Sequence, residues 1–239
     1  MSSLKPLVSL VIPFFNEEPS LIKLLPLVKD NLEQANVNYE VLLIDDASID
    51  NSASVVEKFI SESKSKDFRL IRMHTNSGQT GCFKKAFSEA VGEYIIRMDA
   101  DLQDSPSDLH FFIDKINEKA DIIMGIRENR KHSRALKLST AIYNVIIIML
   151  YDSPLTMHSG SFVAFKSKFV KGIPFKNNDH RYLPLIAISR GAINIREIIV
   201  SHSERLYGSS NYSLLKKIIF GIPELVFFLI RLKTGFYKR

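Results

Sequence analysis

Five short apolar runs punctuate the first half of the chain: "LVSLVIP" (7–13), "YEVLLID" (39–45), "FRLIRM" (68–73), "EYIIRMD" (93–99) and "DIIMG" (121–125). Their length and their Val, Ile, Leu and Tyr content predict strands. The stretches between them carry apolar residues at helical spacing and predict helices near 20–34, 51–64, 79–91 and 107–118. Strand and helix alternating four times in about 120 residues is the tempo of a doubly wound α/β domain with a parallel sheet.

The second half is less regular. Residues 133–151 predict a helix with a basic start and an apolar end, "SGSFVAF" (159–165) and "AINIREIIV" (192–200) predict two more strands, and a helix is expected near 180–190. The last stretch, "YSLLKKIIFGIPELVFFLIRLKTGFYKR", predicts an apolar helix with Lys216 and Lys217 before it and Arg231, Lys233, Lys238 and Arg239 after it. Its run 218–230 is shorter than the roughly 20 residues a span requires and is interrupted by Pro223 and Glu224, so it is expected to lie in a membrane interface. "IYNVIIIMLY" (142–151), near Arg134 and Lys137, is a second candidate contact, with ordinary core helix as the alternative for both. No repeat or Gly/Ser-rich linker divides the chain. The expected organisation is one domain over 1–212 and a C-terminal membrane-interface helix over 213–239.

Composition narrows the classes. With 46% hydrophobic and 24% charged residues in 239, the chain suits a globular domain of catalytic size rather than a disordered or fibrous one. Its single cysteine, Cys82, excludes a disulfide framework and fits a reducing compartment. The N-terminal apolar run is followed at once by Glu17 and Glu18 and lacks a full signal-peptide pattern. Charge is unevenly placed: residues 1–125 hold 13 basic against 20 acidic residues, and 126–239 hold 19 against 6. A basic second half calls for an anionic partner, which could be a ligand phosphate, a membrane surface or nucleic acid. Nucleic acid is disfavoured, because the aromatics sit in apolar runs rather than interleaved with the basic residues.

Ligands of open α/β sheets bind beyond the carboxyl ends of the strands, so the residues after each apolar run carry the chemistry. Here those are "PFFNEE", "DDASID", "HTNSGQTG" and "DADLQD". Together they would gather Glu17, Asp45, Asp46, Asp99 and Asp101 on one edge, where like charges disfavour one another's ionisation. A divalent cation resolves that repulsion. A lone D-x-D is more often a solvated loop or a helix start, and "DSPSD" is a good N-terminal cap with Pro106 in the first turn. The company of three other polar exits favours the metal reading. Asp99 and Asp101 share a face if the chain stays extended, Gln103 continues the alternation, and oxygen donors with positions open to phosphate suit Mg2+ or Mn2+ rather than zinc.

Gly78 and Gly81 could bring backbone N–H groups to a phosphate at a helix start. The absence of a P-loop and of G-x-G-x-x-G argues against an ATPase or a nicotinamide enzyme. Arg127 and Arg205 stand at strand ends on the ligand side. Of six scattered histidines, only His180, between Asp179 and Arg181, is a candidate substrate contact.

The succession "VIPFFNEE", "YEVLLIDDASIDNS", "NSGQ", "MDADLQD", "GIR", "SGSF" and "RLYGSSNY" resembles the family 2 glycosyltransferases of GT-A fold, in particular the branch of dolichyl-phosphate mannose synthase and the polyprenyl-phosphate glycosyltransferases. The likeness runs from about residue 7 to 212. It implies a Rossmann-like, mostly parallel α/β sheet flanked by helices, with a C-terminal apolar and basic interfacial helix. It also implies an inverting, metal-dependent transfer of sugar from a UDP- or GDP-sugar to a polyprenyl phosphate, on the cytoplasmic face of a membrane. Pro13, Phe15, Glu17, Ile44 and Asp46 would then hold the nucleoside, with Phe15 where the family usually has Tyr. Asp99, Ala100 and Asp101 would line the diphosphate and metal, Asp101 and Gln103 being the metal ligands. Arg127 and Arg205 would meet the sugar diphosphate or the acceptor phosphate.

Two departures bear on the acceptor: Asn211 stands where the family has a lysine, and Ser161 where some relatives have an Asp. A sugar hydroxyl of a lipid-linked or surface glycan is the alternative acceptor. It would need a carboxylate base, for which Asp104 and Asp179 are candidates. A catalytically silent scaffold is a further alternative, against which the intact D-A-D-x-Q argues. The sequence is compatible with a homo-oligomer and leaves the sugar open.

Overall fold

The computed structural model of the chain describes residues 7–127, 160–203 and 214–238. The helix expected over 133–151, Arg205 and Asn211 lie outside the described residues. In chain order the elements are β1 (Val8–Phe14), α1 (Glu18–Gln34), β2 (Tyr39–Asp45), α2 (Ser52–Ser63), β3 (Phe68–Arg72), α3 (Gly78–Glu89), β4 (Tyr94–Arg97), α4 (Leu109–Asn117), β5 (Ile122–Arg127), β6 (Val163–Lys166), α5 (Ser167–Val170), α6 (Leu183–Ser189), β7 (Ile195–Val200) and α7 (Leu214–Lys233).

The strands form one sheet in the order β3-β2-β1-β4-β6-β5-β7. All run parallel except β6, which lies antiparallel between β4 and β5. The sequence pattern anticipates the mostly parallel sheet but not the reversed strand, because an apolar run carries no mark of direction. Gly125 makes the insertion feasible. A Cβ there would come within 2.8 Å of the Phe162 carbonyl, to which the Gly125 N–H donates at 3.0 Å.

Both faces of the sheet are covered, which is why its strands read as unbroken apolar runs. Along β1, Val8, Leu10 and Ile12 pack in one cluster with Leu21, Leu24, Leu25 and Val28 of α1. Val11, with Leu42 and Ile44 of β2, points the other way, onto Phe83, Ala86 and Phe87 of α3 and onto α6. Period-two alternation thus sorts each strand between two cores.

The second of these cores takes in the C-terminal helix. Leu225, Phe228 and Leu232 of α7 are buried in it, together with Tyr237 just beyond. Phe228 stacks on Tyr182 with ring centroids 4.0 Å apart. Burying each such side chain is worth about 1.5–3 kcal/mol. The end of α7 is therefore part of the folded unit rather than an appendage to it. Its other side presents Val226, Phe227 and Ile230 to solvent. Among the described residues no helix is long and apolar enough to cross a membrane.

Candidate active site

The exits of β1, β2 and β4 converge on one cleft. Pro13, Phe14, Phe15, Glu17, Asp46, Gln79, Cys82, Asp99, Ala100 and Asp101 line it. Three non-glycine residues with left-handed backbone stand at these exits: Asn16 (φ 54°), Ala47 (φ 62°) and Leu102 (φ 61°). Such conformations cost free energy and persist where the surroundings enforce them, as they do at binding sites.

The paired aspartates after β2 have different tasks. The Asp45 carboxylate accepts the Ser48 N–H at 2.8 Å and shapes the turn. Asp46 reaches across to the start of α3, where its carboxylate accepts the N–H groups of Ser77 (2.7 Å) and Gly78 (2.9 Å). The Gly78 amide expected to meet a phosphate is thus already bonded, because Asp46 fills the position at the helix N-terminus that an anion would take. Gly81 serves packing, since a Cβ there would fall 2.4 Å from Ser77 Cβ. Ile44 is fully buried in the core and does not line the cleft, unlike the other residues expected around a nucleoside.

β4 ends at Arg97, and the Met98 N–H still donates to Val11 at 3.0 Å, which keeps the chain extended for one more step. Asp99 and Asp101 both reach the cleft. Burial, reinforced by Asp104 and Asp101, pushes the Asp99 carboxyl above its ordinary range, while Arg97 opposes the rise. Gln79 donates to Asp99 at 3.4 Å, and the Gln103 N–H donates to Asp101 at 3.2 Å. Among the described residues no three His, Cys, Asp or Glu side chains cluster tightly enough to enclose an ion unaided. The donor set still fits a hard divalent cation of the kind held by one or two carboxylates and completed by phosphate oxygens. Cys82, on the cleft wall, is no nucleophile: burial, and then Asp46, push its thiol upward.

A second polar group lies beyond the acidic turn. Asp104, fully buried, accepts Arg127 at 3.0 Å and the Ser161 hydroxyl at 2.7 Å, and Arg127 also donates to Ser161. Sequence separation of 23 to 57 residues hides this triangle from any local pattern.

The segment 179–181 is structural, which corrects its reading as a substrate contact. Asp179 is fully buried and accepts the Lys176 N–H (2.7 Å), Arg231 (2.7 Å) and the Tyr237 hydroxyl (2.9 Å). Asp179 and its hydroxyl partner Tyr237 are both fully buried, which closes this carboxylate to an acceptor. Arg181 pairs with Glu224 of α7 at 3.6 Å. His180 meets the Thr80 hydroxyl at 2.7 Å through Nδ1, and burial, helped by Arg97 and Arg181, lowers its pKa to about 3.

The His180 shift carries a stability prediction. The unfolded state takes up a proton near pH 6.5 that the folded state refuses until about pH 3. The contribution of this residue is therefore fully present above pH 6.5 and lost as pH falls, by about 1 kcal/mol per pH unit. Urea unfolding at pH 7.5 and pH 5 should show His180→Gln losing less stability on acidification than the parent. Equal slopes would refute the assignment.

Missed by sequence reading were Gln79 as a cleft residue, Cys82, Ser161 as a partner of Asp104, and Arg97, which hides inside an apolar strand run. For Arg97 a signal existed: it precedes Asp99 by two and so shares its face of the extended chain.

An acidic cleft at the strand exits of a mixed, mostly parallel sheet flanked by helices is a GT-A-like arrangement. Residues 9–173 match the family model described as Glycosyl transferase family 2, and the chain belongs to that family of enzymes. Solved structures agree on the fold. The mannosyltransferase PcManGT from Pyrobaculum calidifontis, in complex with GDP-Man and Mn2+, is 19% identical with a TM-score of 0.61, covering 87% of this chain and 59% of that one. Glucosyl-3-phosphoglycerate synthase from Mycobacterium tuberculosis, with Mn2+, UDP and phosphoglyceric acid, is 13% identical with a TM-score of 0.71, over 95% and 78%. S. aureus TarS 1-349 is 20% identical with a TM-score of 0.56, over 80% and 57%. The chain thus spans less than two thirds of two of these three proteins.

Proposed function

We propose that the protein is an inverting, Mg2+- or Mn2+-dependent glycosyltransferase that moves a sugar from a UDP- or GDP-sugar to a hydroxyl of a lipid-linked or cell-surface glycan. The observation that carries the acceptor choice is the state of Arg127. A phosphate acceptor needs open cations, and this guanidinium is already balanced by the buried Asp104. Asn211 in place of the family's lysine removes another.

On the donor side, Phe15, 42% exposed on the cleft wall, offers an aromatic face to a base. Pro13, Glu17 and Asp46 surround it. At about 220 Å³ the cleft falls below the roughly 300–1,000 Å³ of pockets that enclose a whole ligand, which suits the nucleoside end of the donor. Asp99, Ala100 and Asp101 would meet the diphosphate, and Asp101 with Gln103 would hold the metal. A bound divalent cation supplies Lewis-acid stabilisation of the charge growing on the departing nucleoside diphosphate. The acceptor oxygen attacks the anomeric carbon opposite the leaving group, forming one C–O bond as the other breaks, and inverts the centre. Asp104 would take the acceptor's proton through the half-buried Ser161 hydroxyl, whereas the hydroxyl on Asp179, that of Tyr237, is itself fully buried and opens no such route.

A second reading, a polyprenyl phosphate acceptor as in the dolichyl-phosphate mannose synthase branch, is favoured by one surface. Val226, Phe227 and Ile230 stand 48%, 62% and 53% exposed on α7 near the exposed Lys233. An apolar face with a cation at its edge suits the surface of an anionic bilayer, here the cytoplasmic face, bound peripherally.

One experiment separates the two. Purified protein is incubated with Mn2+, radiolabelled nucleotide sugars and a membrane extract holding both acceptors. Label that stays joined to a larger glycan after mild acid is the expected result. Label released by mild acid from a lipid as the free monosaccharide would overturn the hydroxyl acceptor in favour of the phosphate.

A further inference from the structure

We propose that Arg97 is a positioning residue of the donor site: a fixed, buried cation that balances Asp99 and Asp104 and holds Asp99 toward the cleft. The inference rests on the glycosyltransferase reading and assigns a role to a residue outside the cleft lining.

Arg97 is the last residue of β4 and only 5% exposed. Its guanidinium lies over the Phe83 ring at 4.4 Å and donates from Nη1 to the His180 carbonyl at 2.7 Å. Its Nε is buried without a hydrogen-bond partner among the described residues. A buried arginine with an unmatched donor is a poor packing element, and an apolar residue of like volume would serve the core better. Its charge is what the surroundings use. Asp99 and Asp104 favour its charged form, while burial and Arg127 oppose it. With Arg127 bonded to Asp104, Arg97 is the stronger of the two cations acting on Asp99.

The contacts close into a ring. Arg97 holds the His180 carbonyl, the His180 imidazole meets Thr80 on α3, and Gln79, the neighbour of Thr80, donates to Asp99. Asp99 follows Arg97 by two residues on the same extended stretch. The cation and the carboxylate are thereby fixed from both sides, on rigid elements, before any ligand arrives.

The test compares Arg97→Gln, Arg97→Met and Arg97→Lys in the full chain. UDP and GDP are titrated calorimetrically with and without Mn2+, alongside melting curves and steady-state kinetics. The neutral variants should weaken Mn2+-dependent nucleotide binding at least about 10-fold and lower kcat/KM similarly, with Lys restoring most of both. Metal-free nucleotide binding should move far less. Arg97→Gln retains a donor for His180 and serves if the Met variant does not fold. Wild-type-like Mn2+-nucleotide binding in Arg97→Gln would overturn this inference alone. Losses that follow the melting temperature equally in all three variants, Lys included, would overturn it as well. A wild-type protein that binds neither nucleotide with Mn2+ would overturn the donor reading and this inference with it.

Discussion

Asp101→Ala is expected to abolish measurable sugar transfer, by on the order of 100-fold or more in kcat/KM, while leaving the protein folded. The carboxylate is half-buried in the turn after β4, lines the cleft and accepts the Gln103 N–H. Its local hydrogen bond is worth only about 1 kcal/mol, small beside the stability of a domain this size. Its electrostatic task is larger, because the leaving nucleoside diphosphate gains charge as the glycosidic bond breaks. Melting curves with UDP or GDP should show Mn2+-dependent stabilisation in the parent and none in the variant. Unchanged turnover in Asp101→Ala would refute the site itself.

Asp179→Ala should do the reverse. This acid is 0% exposed and ties three parts of the chain together: the 176–179 turn, Arg231 of α7, and Tyr237 beyond it. Removing it leaves a half-buried guanidinium and a buried phenol without their acceptor. A loss of about 3–5 kcal/mol is expected, which in a chain of this size lowers Tm by roughly 10 °C. Nucleotide affinity measured well below the transition should stay within a factor of about two, because Asp179 lies outside the cleft lining. A stable variant with abolished turnover would restore Asp179 as the base and contradict its structural role. The two aspartates were similar candidates on paper. Burial and partners separate them.

The strands and helices of the first half were legible because each is encoded locally. Apolar runs buried on both faces cannot hide their period, and the polar exits stand out against them. Phe15, Glu17, Asp46, Asp99 and Asp101 were accessible to the same logic, since an α/β sheet delivers its strand ends to one edge whatever the details. The side chain of Ile44 faces the core: near the end of a strand one residue faces the core and another the cleft, and the packing of Cys82 and Phe83 against β2 decides which. The acceptor of the Gly78 amide comes from 32 residues earlier in sequence, too far for a local pattern to show.

By itself the sequence determined the alternating strand–helix order, the acidic turn after the fourth strand and membership of a sugar-transferring family. These are properties of short windows, where period and residue type suffice. The tertiary structure decided the antiparallel β6, the docking of α7 through Phe228 and Tyr182, the closure of Asp104 with Arg127 and Ser161, and the burial of Arg97 behind Asp99. Each of these depends on side chains brought together from distant segments under competition for space and charge. Chain entropy opposes such contacts, so they exist only when the whole fold supplies the compensation.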